Sequence, residues 1–254
     1  MICIFDCETI PDADLARKIF DIDGTDEEVS NKAFEIQLEK TKSSSFLPVV
    51  FHKSVAISAV ICDDYGRFQK VSSIDGEDEE TILRNFLNFI DKHNPKLISY
   101  NGRGFDLPML MLRAMKYGLS CPAYFNADDR TLGKTKWDNY KARYSDKFHI
   151  DLLEMVSDYG AVRGLNLDTL SLMLGHPGKF DVHGDQVVEL YYEDKLKEIK
   201  EYCESDVLNT YLLYLKYEIL RGNISKDDYT EYTAIMNEFI PQSKSYAKVF
   251  KENI

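Results

Sequence analysis

The stretch MICIFDCETIPD, residues 1–12, opens with the apolar run 2–5 and then places two acids, Asp6 and Glu8. The apolar run predicts a strand that enters a core and ends at the acids. Because strand side chains alternate between the two faces, Asp6 and Glu8 point the same way and Cys7, between them, faces the core. Two neighbouring carboxylates beside a core repel each other and lose hydration, so this pair requires a compensating partner.

The composition is that of a folded domain with a sizeable core. Of the 254 residues, 44% are hydrophobic and 29% are charged. We find no apolar run of membrane-spanning length and no basic, then hydrophobic N-terminal segment, and we expect no membrane partner. The five cysteines lack a C-x-x-C pattern, which favours reduced core thiols in a cytoplasmic protein. A net charge of −12 argues against coating nucleic acid by bulk electrostatics, but cations bound to carboxylates reverse the potential locally.

The order of predicted elements indicates an α/β fold in which a mixed β-sheet is flanked by α-helices, as in a ribonuclease H-like sheet. We place one domain at residues 1–220 and a helical C-terminal extension packed on it at 221–254. Within the domain, the predicted elements are an opening strand, a helical insertion (12–45), a hairpin (55–63 and 67–73), a helix (77–92), a strand (96–100), a helix (107–117), an irregular segment (118–147), a short strand and helix (148–156), and a long helix (193–220).

Further acids follow two other elements. SYNGRGFDLP places Asp106 after a predicted strand, and YCESD places Tyr202 and Asp206 four residues apart, on one face of a helix. Each piece has an ordinary alternative: a solvated strand end for Asp6 and Glu8, a helix N-cap for Asp106, and a helix surface for the last two. Together they predict four carboxylates and a phenol at one end of the sheet.

These three pieces, FDCET, NGRGFD and YCESD, resemble the motifs of the DEDD superfamily of 3′–5′ exonucleases. Tyr202 identifies the tyrosine branch, since the histidine branch would have His at the position of Glu201. The stretch from GHPGK to YLLYLK, residues 175–216, is similar to stand-alone exonucleases related to the proofreading domain of family-B DNA polymerases. The resemblance covers roughly residues 1–220.

The resemblance implies a metal-dependent exonuclease that releases nucleoside 5′-monophosphates from the 3′ end of a nucleic acid. It implies two divalent cations, Mg²⁺ or Mn²⁺, with Asp6 bridging both. Glu8 and Asp206 complete the ligands of the first ion, Asp106 holds the second through water, and Tyr202 orients the attacking water. Both cations prefer oxygen ligands.

Four residues are predicted to bind the substrate. Asn101 and Phe105 belong to the second motif by resemblance; Phe105 either stacks on a terminal base or packs in the core. Trp137 lies in a segment that interleaves basic and aromatic residues, which suits either single-strand contact or an ordinary charged loop. Lys179 is a candidate phosphate contact. The basic and aromatic residues of that segment are Arg130, Lys134, Lys136, Trp137, Tyr140, Lys141, Arg143, Tyr144 and Lys147.

Other interpretations stay open at this point. The chain can be an inactive nucleic-acid-binding module on the same fold, an endonuclease, or an exoribonuclease. The sequence does not decide between DNA and RNA, although single-stranded DNA is the expected substrate, and it indicates no protein partner. Asp151, with Glu154 three residues later, predicts a helix N-cap whose preceding strand ends near the site. The five histidines show no metal-ligand spacing.

Overall fold

The computed structural model of the protein describes residues 1–178 and 186–253. Its centre is a five-stranded sheet in the order β3-β2-β1-β4-β5. β2 pairs antiparallel with both β1 and β3, while β4 pairs parallel with both β1 and β5. This arrangement confirms the predicted mixed sheet. The strands are β1 (Ile2–Pro11), β2 (His52–Cys62), β3 (Phe68–Ser73), β4 (Lys96–Ser99) and β5 (His149–Asp151).

The first strand is longer than predicted. β1 continues past Asp6 and Glu8 to Pro11, so the expectation that it ends at the acids is wrong. The reason lies in β2, which pairs with β1 along its whole length, from Ile2 opposite Cys62 to Pro11 opposite His52. The acids therefore lie in the middle of a paired strand, and the register shifts directly after Glu8.

Helices cover both faces of the sheet. The predicted insertion forms α1 and α2, and Thr25 begins α2 with a capping box completed by Glu28. The helices are α1 (Ala13–Phe20), α2 (Asp26–Thr41), α3 (Glu79–His93), α4 (Asp106–Lys116), α5 (Pro122–Phe125), α6 (Leu152–Val156), α7 (Leu167–Met173), α8 (Val187–Tyr192), α9 (Leu196–Leu220), α10 (Lys226–Phe239) and α11 (Ala247–Glu252). The predicted long helix at 193–220 is thus α9, which begins three residues later.

Two hydrophobic cores sandwich the sheet. On one face, Phe86 and Leu87 of α3 and Leu110 of α4 pack under β1 and β2. The other core contains α9 together with the C-terminal residues Tyr246 and Phe250. Nearly every residue of α9 from Ile199 to Leu215 is buried, because the helix lies between the sheet and the C-terminal helices. The division of the chain at residue 220 stays a prediction.

The C-terminal segment is attached to α9 by polar contacts as well. Glu204 is buried and accepts hydrogen bonds from Ser73 of β3 and from the Tyr246 hydroxyl. Glu201 accepts from the backbone and side chain of Ser245. These carboxylates hold α9 between β3 and the chain's last helices. Over residues 1–178 and 186–253, we find no helix whose length and apolarity would let it cross a bilayer.

Candidate active site

The two acids of β1 share one side of the sheet. Asp6, Glu8 and Cys203 of α9 each bring a potential ligand atom within 4.8 Å of the other two. Cys7 points the opposite way and packs in the core beneath α3 and α4. The predicted alternation is confirmed. Since Glu8 is buried and Asp6 is only partly exposed, the solvated strand end is wrong.

The α9 side of the site is buried rather than exposed. Tyr202 and Asp206 are only 4% and 7% exposed, so the helix-surface alternative is wrong. Burial raises the pKa of Tyr202 far above its usual value, and the negative charges of Asp206, Glu8 and Asp6 raise this pKa further. The phenol also forms a hydrogen bond with Asp206. Tyr202 is therefore a protonated hydrogen-bond donor surrounded by carboxylates.

Asp106 begins α4 but does not cap it. Phe105 occupies the N-cap position and makes no side-chain capping bond, which contradicts the N-cap alternative for Asp106. Asp106 is buried, and burial raises its pKa to about 7, with a further contribution from the charge of Asp151. Burial raises the pKa of the Cys7 thiol, and the negative charges of Asp106, Asp6 and Glu8 raise it further. The second motif thus meets the first around β1.

A polar cleft of about 530 Å³ opens on this cluster and is lined by Asp6, Asp206 and Asn101. Asn101 is exposed and has a left-handed backbone, with φ of 65°. Asn166 and Asp168, which no motif in the sequence indicated, line the same cleft at the start of α7. Short-range spacing carries no signal for them, because they reach the cleft only through the packing of α7 on α9.

A second, more apolar cleft of about 510 Å³ lies on the other side of Glu8. Phe105 is half-buried there, and its ring packs against Phe46 at 5.2 Å and edge-on against His52 at 4.9 Å between centroids. Phe46 is itself 58% exposed. Phe105 therefore stands at the rim of a cleft beside a candidate metal ligand, and its stacking role stays a prediction.

The basic and aromatic segment is divided between the interior and the surface. Lys134 is buried; it donates to the Ala123 carbonyl, and its ammonium lies 4.5 Å from the centroid of the buried Tyr140 ring. These two residues are structural, contrary to the expectation of strand contact along the segment. Trp137 is 73% exposed and lies beside Lys136, so its strand contact stays a prediction. Lys179 lies outside the described residues.

The donor set fits a hard divalent cation. The carboxylates of Asp6 and Glu8 approach each other in partly buried surroundings. A bound cation would offset the repulsion between their negative charges. Burial, together with the charges of Glu8 and Asp6, raises the pKa of Cys203 well above its usual value, so its thiol stays protonated. A bound metal can displace the proton of a thiol, so the fit rests on the carboxylate oxygens of Asp6 and Glu8, which suit a hard divalent cation.

Comparison with solved structures shows the class of fold. A family B DNA polymerase from the hyperthermophilic archaeon Pyrobaculum calidifontis is similar over 98% of this chain and 26% of its own, with a TM-score of 0.51 and 16% sequence identity. This likeness concerns the fold alone, and it confirms the predicted ribonuclease H-like mixed sheet flanked by helices.

Sequence comparison shows the family. A family model described as a predicted 3′–5′ exonuclease related to the exonuclease domain of PolB matches residues 44–254. The chain belongs to this family, and the predicted enzyme class, a 3′–5′ exonuclease, is confirmed. The matched range contains Asp106, Tyr202 and Asp206, while Asp6 and Glu8 precede it.

Individual relatives are DNA polymerases much longer than this chain. A DNA polymerase of Pyrococcus glycovorans is 26% identical over 156 residues, which is 58% of this chain and 19% of the polymerase. The catalytic polypeptide of DNA polymerase epsilon from Schizosaccharomyces pombe is 28% identical over 145 residues, 55% of this chain and 6% of that protein. The chain thus matches less than a fifth of the length of each of these two relatives.

Proposed function

We propose that the protein is a metal-dependent 3′–5′ exonuclease that shortens single-stranded DNA and releases nucleoside 5′-monophosphates. The observation that carries the proposal is the meeting of Asp6 and Glu8 of β1 with Tyr202 and Asp206 of α9 in one cluster, which borders the polar cleft through Asp6 and Asp206. The negative charges of these partly desolvated carboxylates repel one another and destabilise the metal-free protein. Bound cations would neutralise the charges and remove this repulsion.

The residues have separate roles in this proposal. Asp6, Glu8 and Asp206 would hold one divalent cation, and Asp106, together with Asp6, would hold a second. Bound in this way, two Mg²⁺ or Mn²⁺ ions supply Lewis-acid stabilisation of the attacking and leaving oxygens of a phosphodiester. The buried position of Asp106 and its raised pKa favour a carboxylate that ionises fully only beside a cation.

Tyr202 orients the attacking water rather than taking its proton. Burial and the neighbouring carboxylates keep the phenol protonated, so it acts as a donor at neutral pH. Its bond to Asp206 sets the direction of the ring. A water held between the phenol and the carboxylates is thereby aligned for attack, which lowers the barrier by positioning.

The clefts beside the cluster favour a strand end as substrate. Asn101 lines the polar cleft, and Phe105 with its partner Phe46 lines the apolar one on the far side of Glu8. A nucleotide whose phosphate lies at the carboxylates can place its base against these rings, and stacking is tolerant of sequence. Because the relatives are DNA polymerases, DNA is the proposed substrate, with Trp137 and Lys179 as further contacts to the strand.

A ladder assay tests the proposal. Single-stranded DNA and RNA of equal sequence carry a 5′ label and are incubated with Mn²⁺ or Mg²⁺, alongside circular DNA and a chelator control. We expect DNA to shorten stepwise from its 3′ end, and the reaction to stop with chelator. Cutting of circular DNA as fast as linear DNA would indicate an endonuclease, faster shortening of RNA an exoribonuclease, and strand binding without cleavage an inactive module.

A further inference from the structure

Asp151, the last residue of β5, holds two parts of the chain at once. The residue is 2% exposed, and its carboxylate accepts hydrogen bonds from four backbone N–H groups. Leu153 and Glu154 belong to the start of α6, where Asp151 is the predicted N-cap. Asn101 and Arg103 belong to the loop that leads from β4 to Asp106. The N-cap prediction is confirmed, but it accounts for only half of the contacts.

The bonds to the loop are the shorter ones. Asn101 N donates to Oδ1 of Asp151 at 2.9 Å, and Arg103 N donates to Oδ2 at 2.9 Å. The capping bonds, both to Oδ1, measure 3.1 Å to Leu153 N and 3.4 Å to Glu154 N. An N-cap needs only one side-chain oxygen. Within residues 1–178 and 186–253, the Oδ2 atom of Asp151 therefore accepts only from the loop.

The loop itself has little room to move. Asn101 is left-handed, and a Cβ on Gly102 would come within 2.4 Å of the Ser99 hydroxyl and 3.5 Å of Asp106 Oδ2. Gly104 passes so close to Asn101 that a Cβ there would lie 2.5 Å from the Asn101 side-chain oxygen. The left-handed backbone of Asn101 is a conformation that side chains disfavour, and contacts from outside the loop help to hold it.

β5 supplies a second such contact through His149. The guanidinium of Arg103 donates to His149 Nδ1 at 3.0 Å, while His149 Nε2 lies 2.8 Å from the Ser99 hydroxyl at the end of β4. Burial, and then the charge of Arg103, lower the pKa of His149 to about 3, so the ring stays neutral and Nδ1 remains an acceptor. The backbone and the side chain of Arg103 are thus both tied to β5.

We infer that Asp151 is a positioning residue that places Asp106 for cation binding, by holding the Asn101–Arg103 part of the loop. The inference rests on the proposed function, in which Asp106, together with Asp6, would hold the second cation. Contacts behind a ligand set its position, and their loss commonly lowers metal affinity 10- to 100-fold. Asp151 makes such contacts through the backbone of the loop directly before Asp106.

The substitution Asp151→Asn separates capping from positioning. Asn caps a helix as well as Asp does and keeps one acceptor oxygen, but its NH₂ group cannot accept the bond from Arg103 N. We expect calorimetric titration with Mn²⁺ to give two sites in the wild-type protein. In Asp151→Asn, the weaker site should lose about 10- to 100-fold in affinity while the tighter site is unchanged. At saturating Mn²⁺, kcat should recover towards that of the wild type, and the KM for a single strand should not change.

Two comparisons keep the result specific. Asp12 is a matched control, because it is also a buried N-cap aspartate, at 5% exposure, and binds Leu15 N at the start of α1. Asp12→Asn should lower the melting temperature without changing either Mn²⁺ affinity. Asp151→Ser, which keeps a capping hydroxyl on a shorter side chain, should weaken the second site like Asp151→Asn and serves if the latter does not fold.

Hydrogen exchange gives a readout that needs no activity. The amide of Arg103 should exchange faster in Asp151→Asn, and the amides of both Asn101 and Arg103 should exchange faster in Asp151→Ser, while those of α9 stay protected. Unchanged Mn²⁺ affinities in folded Asp151 variants would overturn the inference and leave the exonuclease proposal standing. A wild-type protein that degrades strands with one bound cation would also overturn it, whereas wild-type protein without metal-dependent cleavage would overturn the proposed function itself.

Discussion

Tyr202 lies one helical turn before Asp206 on α9, and the two buried side chains share a hydrogen bond beside the acids of β1. Burial and the charge of Asp206 both keep the Tyr202 phenol protonated. Because the single proton of the phenol lies in its bond to Asp206, the pair presents a hydroxyl oxygen and a carboxylate beside the acids of β1. A water bound there can be oriented by the phenol while the carboxylate holds a cation.

The role of this phenol is tested by Tyr202→Phe. The change removes a hydroxyl and no proposed metal ligand, so the Mn²⁺ affinity should be unchanged. The cleavage rate should fall by roughly 10- to 1000-fold, the usual effect of losing one positioning group. Tyr232 is a matched control, since it is equally buried at 4% exposure but belongs to α10 and packs in the core away from the acids. Wild-type turnover by Tyr202→Phe would remove Tyr202 from the site.

Asp206→Asn tests whether the carboxylates form a metal site at the expense of metal-free stability. The change keeps the shape and removes one negative charge, so the metal-free variant should melt no lower than the wild type. A cation at a hundredfold excess over its dissociation constant stabilises the protein that binds it by about 2.7 kcal/mol. Thermal melts with and without Mn²⁺ should show a smaller gain for the variant, and nuclease activity should be nearly lost. Equal gains for both proteins would contradict the four-carboxylate site.

We predict that the apolar cleft contributes to the affinity for a single strand through Phe105. Phe105→Ala should weaken binding of a single strand by about 1–3 kcal/mol, the range for one base–aromatic contact. Fluorescence anisotropy with a 5′-labelled strand in Ca²⁺ measures the change, and the same titration of Trp137→Ala tests the predicted contact of that residue. Phe239→Ala is the control, because Phe239 is an exposed ring on α10. Equal affinities for Phe105→Ala and Phe239→Ala would exclude stacking on Phe105.

We predict that a buried ion-pair network near the end of β1 makes the stability of the fold depend on pH in the acid range. Arg113 of α4 binds both Asp12 and Glu79, and all three are nearly inaccessible. Burial by itself raises the pKa of Asp12, but hydrogen bonds from Arg113 and Lys116 lower it to about 2. Because this value is below the usual 3.8, the pairing stabilises the fold above pH 4 and is lost as the pH falls towards 2.

Arg113→Met should therefore cost about 3–5 kcal/mol of unfolding free energy near neutral pH, because it removes the guanidinium from the buried carboxylates of Asp12 and Glu79 and leaves only Lys116 beside Asp12. Urea unfolding of wild type and variant from pH 7 to pH 2.5 measures this difference. The difference should shrink between pH 4 and pH 2, as the wild type loses the same interaction. A difference that stays constant over this range would show that packing of the arginine stem, rather than its charge, is responsible.

Local patterns in the sequence were enough to predict most elements and the acid cluster. The apolar spacing of α3 placed Ile82, Phe86 and Ile90 in the core, where they lie. The four-residue step from Tyr202 to Asp206 placed both on one face, since a helix repeats every 3.6 residues. These predictions depend on geometry within a few residues, which the chain carries wherever it packs.

Other features depended on contacts between distant parts of the chain. β1 runs past Glu8 because β2 supplies a ladder partner for each residue up to Pro11. Lys134 is buried because the rings of Tyr140 and Phe148 and the Ala123 carbonyl surround its ammonium. Neither outcome has a short-range pattern, since each depends on which segments become neighbours after folding.

The same division applies to the site. The three motifs contain the residues that we propose bind cations. Within each motif, these residues are only a few positions apart in the chain, so the sequence alone shows them. Only the tertiary structure brings Asp151 to the amides of Asn101 and Arg103, 50 and 48 positions away in the chain. β5 pairs with β4 in parallel, so its last residue arrives beside the loop that follows β4. Hydrogen bonds to backbone amides require no particular side chain on the loop, and the sequence therefore carries no mark of them.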